Sequence, residues 1–159
     1  MSLNLNNINN SIKNLLDKNN TTTSAYNISA GLNSKVKNVI VGLSEAVGLA
    51  ETLYPVVYVE LKRKTEEFAQ LGNNAMRDID LYYDIVPIVS YGMGNCREES
   101  DNELYRLSQN VETLFRNYIN LSNTVDYAIL ARTEYNVSYS NDTWNSIAKI
   151  SLECRKLST

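Results

Sequence analysis

Three carboxylates form the most evident group of residues that could do chemistry. Asp78, Asp80 and Asp84 lie at even spacing in a segment where apolar and polar residues alternate. Residues with a period of two share one face of a β-strand, and oxygen ligands grouped on such a face can hold a divalent cation. A solvated strand face that discourages edge-to-edge aggregation explains the same pattern, and we favour that interpretation.

The sequence lacks the residues that most enzymes use for acid–base or nucleophilic catalysis. It contains no His, which removes the commonest general base and metal ligand. The Gly-Met-Gly turn at residues 92–94 lacks the Lys and Ser or Thr of a phosphate-binding loop. Cys96 and Cys154 are too far apart in sequence for a zinc or redox motif. We therefore predict that the protein is not an enzyme and uses no metal or other cofactor.

The charge balance argues against a surface that grips nucleic acid. The chain carries 15 basic and 18 acidic residues, a formal net charge of -3, whereas phosphate-binding surfaces need a basic excess. The basic triplet at residues 62–64 is followed by two glutamates and is typical of a solvated segment. No signal-peptide core follows Met1, and no apolar run reaches membrane-spanning length. We expect a soluble protein that is made in the cytoplasm and does not bind membranes.

The pattern of apolar residues divides the chain near residue 54. Before this point the apolar residues fall at helical spacing, which predicts a helix over residues 5–18 and a second one over about 28–43. From Tyr54 onward the period changes to two. We therefore predict an N-terminal helical or extended segment over residues 1–53 and an α+β domain over residues 54–159, in a chain of 159 residues.

The second part of the chain has the order strand, strand, helix, strand, strand. The predicted elements are strands near 54–62 and 77–91, a helix over 101–118, and strands near 125–137 and 147–157. Ser100 and Glu103 have the spacing of a capping box at the start of that helix. Pro87 cannot donate to a ladder, which predicts an edge position or a bulge. The order predicts a mainly antiparallel four-stranded sheet with one long helix on one face, in addition to the N-terminal helical segment.

Several parts of the chain together carry a family resemblance that spans about residues 54–157. They are a first strand at 54–61, a second strand at 77–85, a helix at 103–114, and a closing hairpin at 120–125, 133–137 and 148–157. In order and spacing these segments resemble the small tail-terminator, or tail-completion, proteins of tailed bacteriophages. The long N-terminal region and the polar insertion at residues 63–77 depart from the smaller members of that family.

The resemblance implies a structural role in a virion. Tail terminators form a six-fold ring on the head-proximal end of the tail tube, stop its polymerisation and dock to the head connector. DNA passes through the ring without being read. The implied partners are five further copies of the chain, the tail tube protein and the head–tail connector or neck proteins, and the implied location is the virion tail or neck, after synthesis in the host cytoplasm.

Three other functions remain open at this point. One is a different neck component, such as a head-completion protein. Another is a monomeric, non-enzymatic α+β module that binds a protein or a small ligand. A third is a metal-dependent enzyme that uses the face with the three aspartates.

Polar segments that exceed what a compact core needs are expected to form the contacts between subunits. They are the N-terminal segment, residues 63–77, and a polar, turn-rich stretch at residues 136–144. The candidate interface residues are Tyr58, Lys62, Arg63, Lys64, Asn73, Arg77, Tyr82, Asn141 and Trp144. A ring subunit would bury Tyr58 and Tyr82 against its neighbours, whereas a monomer would leave them in water.

Overall fold

A five-stranded mixed sheet with two helices on one face forms the part of the chain that the structure describes. This structure is a computed structural model, and it describes residues 3–42, 54–70, 76–92, 97–140 and 143–158. The elements are α1 (Leu5–Lys18), β1 (Asn38–Val41), β2 (Val56–Gln70), β3 (Met76–Gly92), α2 (Arg97–Asn117), β4 (Tyr127–Ser140) and β5 (Thr143–Ser158). The strand order is β1-β2-β3-β5-β4, in which β1 and β2 are parallel and the other neighbours are antiparallel.

The structure corrects the predicted sheet. The fold is α+β, but the prediction of a four-stranded antiparallel sheet with one long helix on its face is wrong, because β1 adds a parallel fifth strand and α1 packs beside α2 on the same face. A helix was expected over residues 28–43, but β1 and a series of turns lie in the described part of that range, residues 28–42. Ile28 and Val36 enter the main core from irregular backbone and Val39 enters it from β1, so their spacing only imitates that of a helix. The β-branched residues 39–41 in β1 favour a strand when the edge of β2 is available for pairing.

The helix predicted over residues 5–18 is confirmed as α1. The side chain of Asn4 accepts a hydrogen bond from the backbone N–H of Asn7, which satisfies one of the free donors at the start of the helix. The apolar stripe of α1 packs against β1 and β2. Its buried residues are Ile8, Ile12, Leu15 and Leu16.

The segment that we expected to be a polar insertion, residues 63–77, is mostly strand. β2 continues to Gln70, β3 begins at Met76, and the two strands pair along their length as one long hairpin. Residues 62–69 are exposed on both faces of the strand, so the alternation that marks a half-buried strand is missing there. The strand conformation of this half of β2 follows from pairing with β3 rather than from its own pattern.

The long helix is present, but its start differs from the predicted capping box. α2 begins at Arg97, so Ser100 and Glu103 lie inside the helix and are buried. The hydroxyl of Ser100 forms a 2.7 Å hydrogen bond with the hydroxyl of Ser146 in β5. The carboxylate of Glu103 accepts the backbone N–H of Asn33 at 3.1 and 3.2 Å. These side chains therefore fix α2 to the sheet and to the turns after α1 rather than capping the helix.

The closing strands are longer than predicted, and the expected loop at residues 136–144 is largely a hairpin. β4 extends to Ser140 and β5 begins at Thr143, and the two strands pair along their whole length with one register shift between Leu130 and Arg132. Such a shift is typical of a β-bulge, which bends and twists an edge strand.

Pro87 lies in a central strand and not at an edge. β3 pairs with β2 on one side and with β5 on the other, and the pairing with β5 stops at Ile85 and resumes at Ile88. Both strands advance by the same number of residues across this gap, so there is no bulge. The missing donor is therefore accommodated by a local interruption of the ladder.

Two apolar clusters lie on opposite faces of the sheet. The larger one lies between the sheet and the two helices, and Tyr83 and Phe115 are its largest fully buried side chains. The smaller one consists of Tyr54, Val56, Tyr58, Val86 and Ile88, with Ile40 and Ile147 packed against it. The rest of that second face carries mostly polar and charged side chains, together with the exposed Tyr127, Ile129 and Leu157. We call it the open face, defined by Asp78, Asp80, Tyr82 and Asp84 of β3 and by their neighbours on β2, β4 and β5.

Candidate functional site

The open face begins with the row of carboxylates on β3. Asp78, Asp80 and Asp84 are half-buried, while the residues that alternate with them are buried in the main core. The prediction that these three carboxylates share one face is thus confirmed. Across the described ranges, no group of three or more Cys, Asp and Glu side chains is arranged so that it could hold a metal ion.

An arginine from β5 pairs with two of these carboxylates. The Nε of Arg155 lies 2.9 Å from Oδ1 of Asp80 and 3.3 Å from Oδ1 of Asp78, and its Nη2 lies 3.4 Å from Oδ2 of Asp80. The guanidinium also lies 5.7 Å from the centre of the Tyr127 ring. The hydrogen bond to Asp80, followed by the charges of Asp78 and Asp80, raises the pKa of Arg155. A fixed cation of the protein therefore pairs with two of the three carboxylates and balances one of their negative charges.

A shallow groove runs beside this ion pair. Its larger part has a volume of about 300 Å³ and is lined by Arg63, Tyr82, Asp84, Arg132 and Glu153, among others. The guanidinium carbon of Arg63 lies 4.2 Å from the centre of the Tyr82 ring, in cation–π geometry. Charges of both signs line the groove, so it is not suited to a ligand that carries charge of a single sign.

The remaining carboxylate of the row is held in an unfavourable environment. Burial raises the pKa of Asp84 above its ordinary value of 3.8, and the charges of Glu60 and Glu134 add to this. Lys62 and Lys149 act in the opposite direction but do not cancel the effect. The ionised carboxylate of Asp84 thus opposes folding at neutral pH.

The Asp84→Asn variant is therefore expected to be slightly more stable than the wild type at pH 7. Protonation of Asp84 contributes stability that is fully present below pH 3.8 and is lost as the pH rises through the raised pKa. We expect a gain below about 1 kcal/mol at pH 7, because solvent screens this partly exposed group. Thermal unfolding of both proteins from pH 3 to 8 measures it. The Asp80→Asn control loses the pair with Arg155 and should be destabilised, and a loss of stability at pH 7 in Asp84→Asn would contradict the prediction.

Two strand edges flank the open face. β1 pairs with β2 only over Val56–Val59, and no other described strand pairs with the outer edge of β2. We call residues 63–70, whose outer edge pairs with no described strand, the free half of β2. On the opposite side of the sheet, β4 has β5 as its one described partner, and Ile129 and Tyr135 are 55% and 48% exposed. Strand edges of this kind present unused N–H and C=O groups to a further strand.

Four of the predicted interface residues lie at the free half of β2 and its β3 partner, in two pairs on opposite faces of the hairpin. Arg63 lies over Tyr82, Lys64 pairs with Glu66, and Arg77 lies 3.1 Å from the same glutamate. Their charges are therefore organised within the hairpin, although their side chains stay at the surface. Lys62 adjoins this group and forms an ion pair of 2.9 Å with Glu60 of the same strand.

The other predicted interface residues lie elsewhere. Tyr58 is only 2% exposed, because it packs into the smaller apolar cluster, and burial raises its pKa. It is thus buried within the subunit, so its burial cannot distinguish a ring from a monomer. Trp144 lies at the start of β5, at the opposite end of the sheet from Arg77. Asn73 and Asn141 lie outside the residues that the structure describes.

The sequence interpretation missed Arg155, Arg132 and Glu134 as surface groups of interest. Alternation with the buried Cys154 was a sufficient signal that Arg155 faces away from the core. Cys154 is itself 2% exposed, and burial raises the pKa of its thiol to about 12, so it is an inert core residue. No local signal indicated that Arg155 meets Asp80, because that contact requires β3 and β5 to be neighbours.

Comparisons with known proteins assign no family to the chain. No protein-family model matches it, and no curated protein matches it. In the described part of the chain, neither helix has the length and the apolar character that crossing a membrane requires. Function must therefore be inferred from the surfaces of the molecule itself.

Proposed function

We propose that this protein is a structural virion component of the tail-terminator type. It assembles into a ring, most simply of six copies, that caps the tail tube and joins it to the head connector. It has no catalytic function and binds no cofactor. DNA passes through the ring without sequence recognition.

The observation that carries this proposal is the pair of exposed edges on opposite sides of one sheet. The free half of β2 and the edge of β4 are different surfaces, so a contact between them is head-to-tail and repeats from copy to copy. A head-to-tail contact produces a closed ring whenever its rotation closes. The order of β2, β3, α2, β4 and β5 is also the order on which the family resemblance rests.

The charges of the open face are consistent with a ring that does not grip DNA. The arginine at its centre, Arg155, is already paired with Asp78 and Asp80. Nucleic-acid binding depends on cations that are available to neutralise phosphates. A face with charges of both signs is better suited to another protein surface of mixed charge.

One observation favours a second candidate function, a monomeric binding module. The groove beside Tyr82 has a volume of about 300 Å³, which is large enough for a small ligand or a side chain of a partner. In that case Tyr82 and Arg63 would contact the ligand, and the protein would remain a monomer at all concentrations.

Native mass spectrometry over a range of concentrations, combined with a tube-capping assay, tests the proposal. We expect a species of six chains of 18.0 kDa each, or a monomer that stops the elongation of added tail tubes. A monomer that leaves tube elongation unchanged would overturn the proposal and favour the binding module.

Reversing two charges on the free half of β2 should block assembly. In the Arg63→Glu/Lys64→Glu variant, both exposed cations become anions beside Glu66, while the core is untouched. We expect loss of the oligomer, with a circular dichroism spectrum and a thermal midpoint close to those of the wild type. The Arg106→Glu/Arg116→Glu variant is the control, because it makes the same charge change at exposed residues of α2, outside the segments expected to form contacts between subunits. Normal assembly of the first variant would count against the role of this segment.

A further inference from the structure

The direction of the strands determines how two copies could share a sheet. From β2 through β3 and β5 to β4, each strand is antiparallel to the next, so β2 and β4 run in opposite directions. A second copy placed beside the first in the same orientation brings its β2 against β4. The two edges then meet as antiparallel strands, the arrangement that already dominates this sheet.

The order of charges along the two edges favours the same direction. Along the free half of β2, Arg63 and Lys64 come first and Glu66 and Glu67 follow. Along β4, Arg132 comes before Glu134, and these side chains are 71% and 59% exposed. In an antiparallel pairing the acidic end of β2 meets Arg132, and Arg63 at the basic end is the diagonal neighbour of Glu134. In a parallel pairing like charges would meet, which is unfavourable.

One register brings Thr65, Glu67, Arg132 and Glu134 together on the open face, and it brings Phe68 beside Leu130 on the face that bears the helices. Glu67 of one copy then lies opposite Arg132 of the next, and Thr65 lies opposite Glu134. Phe68 has the largest exposed fraction of the large apolar residues in the described ranges, 63%. With the bulge of β4 skipped, Phe68 lies opposite Leu130, which gives it an apolar neighbour.

We infer that the free half of β2 pairs with β4 of a second copy of this chain, antiparallel and in this register. The pairing joins the two sheets into one and repeats head-to-tail. The inference rests on the proposed ring and names the contact that closes it. Its failure and the failure of the proposed function are separable, because a ring can also form through other surfaces.

Disulfide trapping in the full-length chain tests the contact. In a Cys96→Ser background, with the buried Cys154 retained, the double variant Thr65→Cys/Glu134→Cys carries one thiol on each edge. Mild oxidation should give a ladder of covalent oligomers, because every chain links to two neighbours. The Thr65→Cys variant alone should stay unlinked, and a mixture of the two single variants should give dimers only. The matched control is Lys35→Cys/Glu134→Cys, in which the first thiol is exposed away from β2.

Each outcome decides the inference. A ladder in the double variant, absent from the control, supports it. No ladder overturns it, even if native mass spectrometry shows a ring of six, in which case the proposed function stands with another contact. Rapid dimer formation by Glu134→Cys alone overturns it in favour of a two-fold β4–β4 pairing. A ladder from a protein that does not stop tube growth supports the contact and overturns the proposed function.

Discussion

A chain that lacks residues 3–18 is expected not to fold. α1 contributes four buried apolar side chains, Ile8, Ile12, Leu15 and Leu16, to the main core under the sheet. At about 1.5–3 kcal/mol for each buried side chain, their loss removes about 6–12 kcal/mol. This is comparable with the entire stability of a typical domain, about 5–15 kcal/mol. Circular dichroism and size-exclusion chromatography of the shortened chain should show an unfolded or aggregated protein.

A point substitution in α1 tests the contribution of its buried face without removing any residues from the chain. Ile12→Asp places a carboxylate at a position with 0% exposure and should destabilise the fold severely. Asn14→Asp adds the same charge at an exposed position of α1 and should be nearly neutral. Equal stability of the two variants in urea unfolding would show that α1 does not contribute to the core.

The second large effect is expected at Tyr83 in the centre of β3. Its ring is 1% exposed, and its hydroxyl donates a 2.5 Å hydrogen bond to Oδ1 of Asn9 in α1. Burial, and to a smaller extent Cys154, raises the pKa of this hydroxyl, so it remains a donor at neutral pH. Tyr83→Ala should reduce the free energy of unfolding by about 3–5 kcal/mol, because it leaves a cavity in the core. Tyr83→Phe keeps the ring and should cost about 0.5–1.5 kcal/mol.

A double-mutant cycle isolates the hydrogen bond. If Tyr83 and Asn9 act through this bond, the costs of Tyr83→Phe and Asn9→Ala should not add in the double variant. Tyr105→Ala is the control for loss of a ring, because Tyr105 is 44% exposed and contacts Tyr135 at the surface. A cost for Tyr105→Ala as large as that for Tyr83→Ala would contradict the assignment of the core.

The elements that were predictable from the sequence are those whose own pattern is determined by one buried face. α1 has a clean apolar stripe, and β3 alternates between the core and the open face. The errors lie where a neighbour decides the conformation. β1 forms from residues with helical spacing because β2 offers an edge, and the free half of β2 is strand because β3 pairs with it. Neither cause is present in a local window of sequence.

The candidate site was predictable only in part for the same reason. A period of two was enough to place Asp78, Asp80 and Asp84 on one face. The partner of two of them, Arg155, follows from the strand order, in which β5 lies beside β3 although α2 and β4 separate them in sequence. β4 was predicted as a strand, but its position at an edge of the sheet was not, because that position follows from the strand order and not from the local pattern.

The central position of β5 has a consequence for synthesis on the ribosome. β5 is made after the other four strands, yet it lies between β3 and β4. Until β5 emerges, one edge of β3 in the β2–β3 hairpin has no partner. β4 likewise has no native neighbour to pair with. Open strand edges in nascent chains are prone to mispairing and aggregation. The stretch of translation between β3 and β5 is therefore a period in which the strand edges of this sheet are open to mispairing.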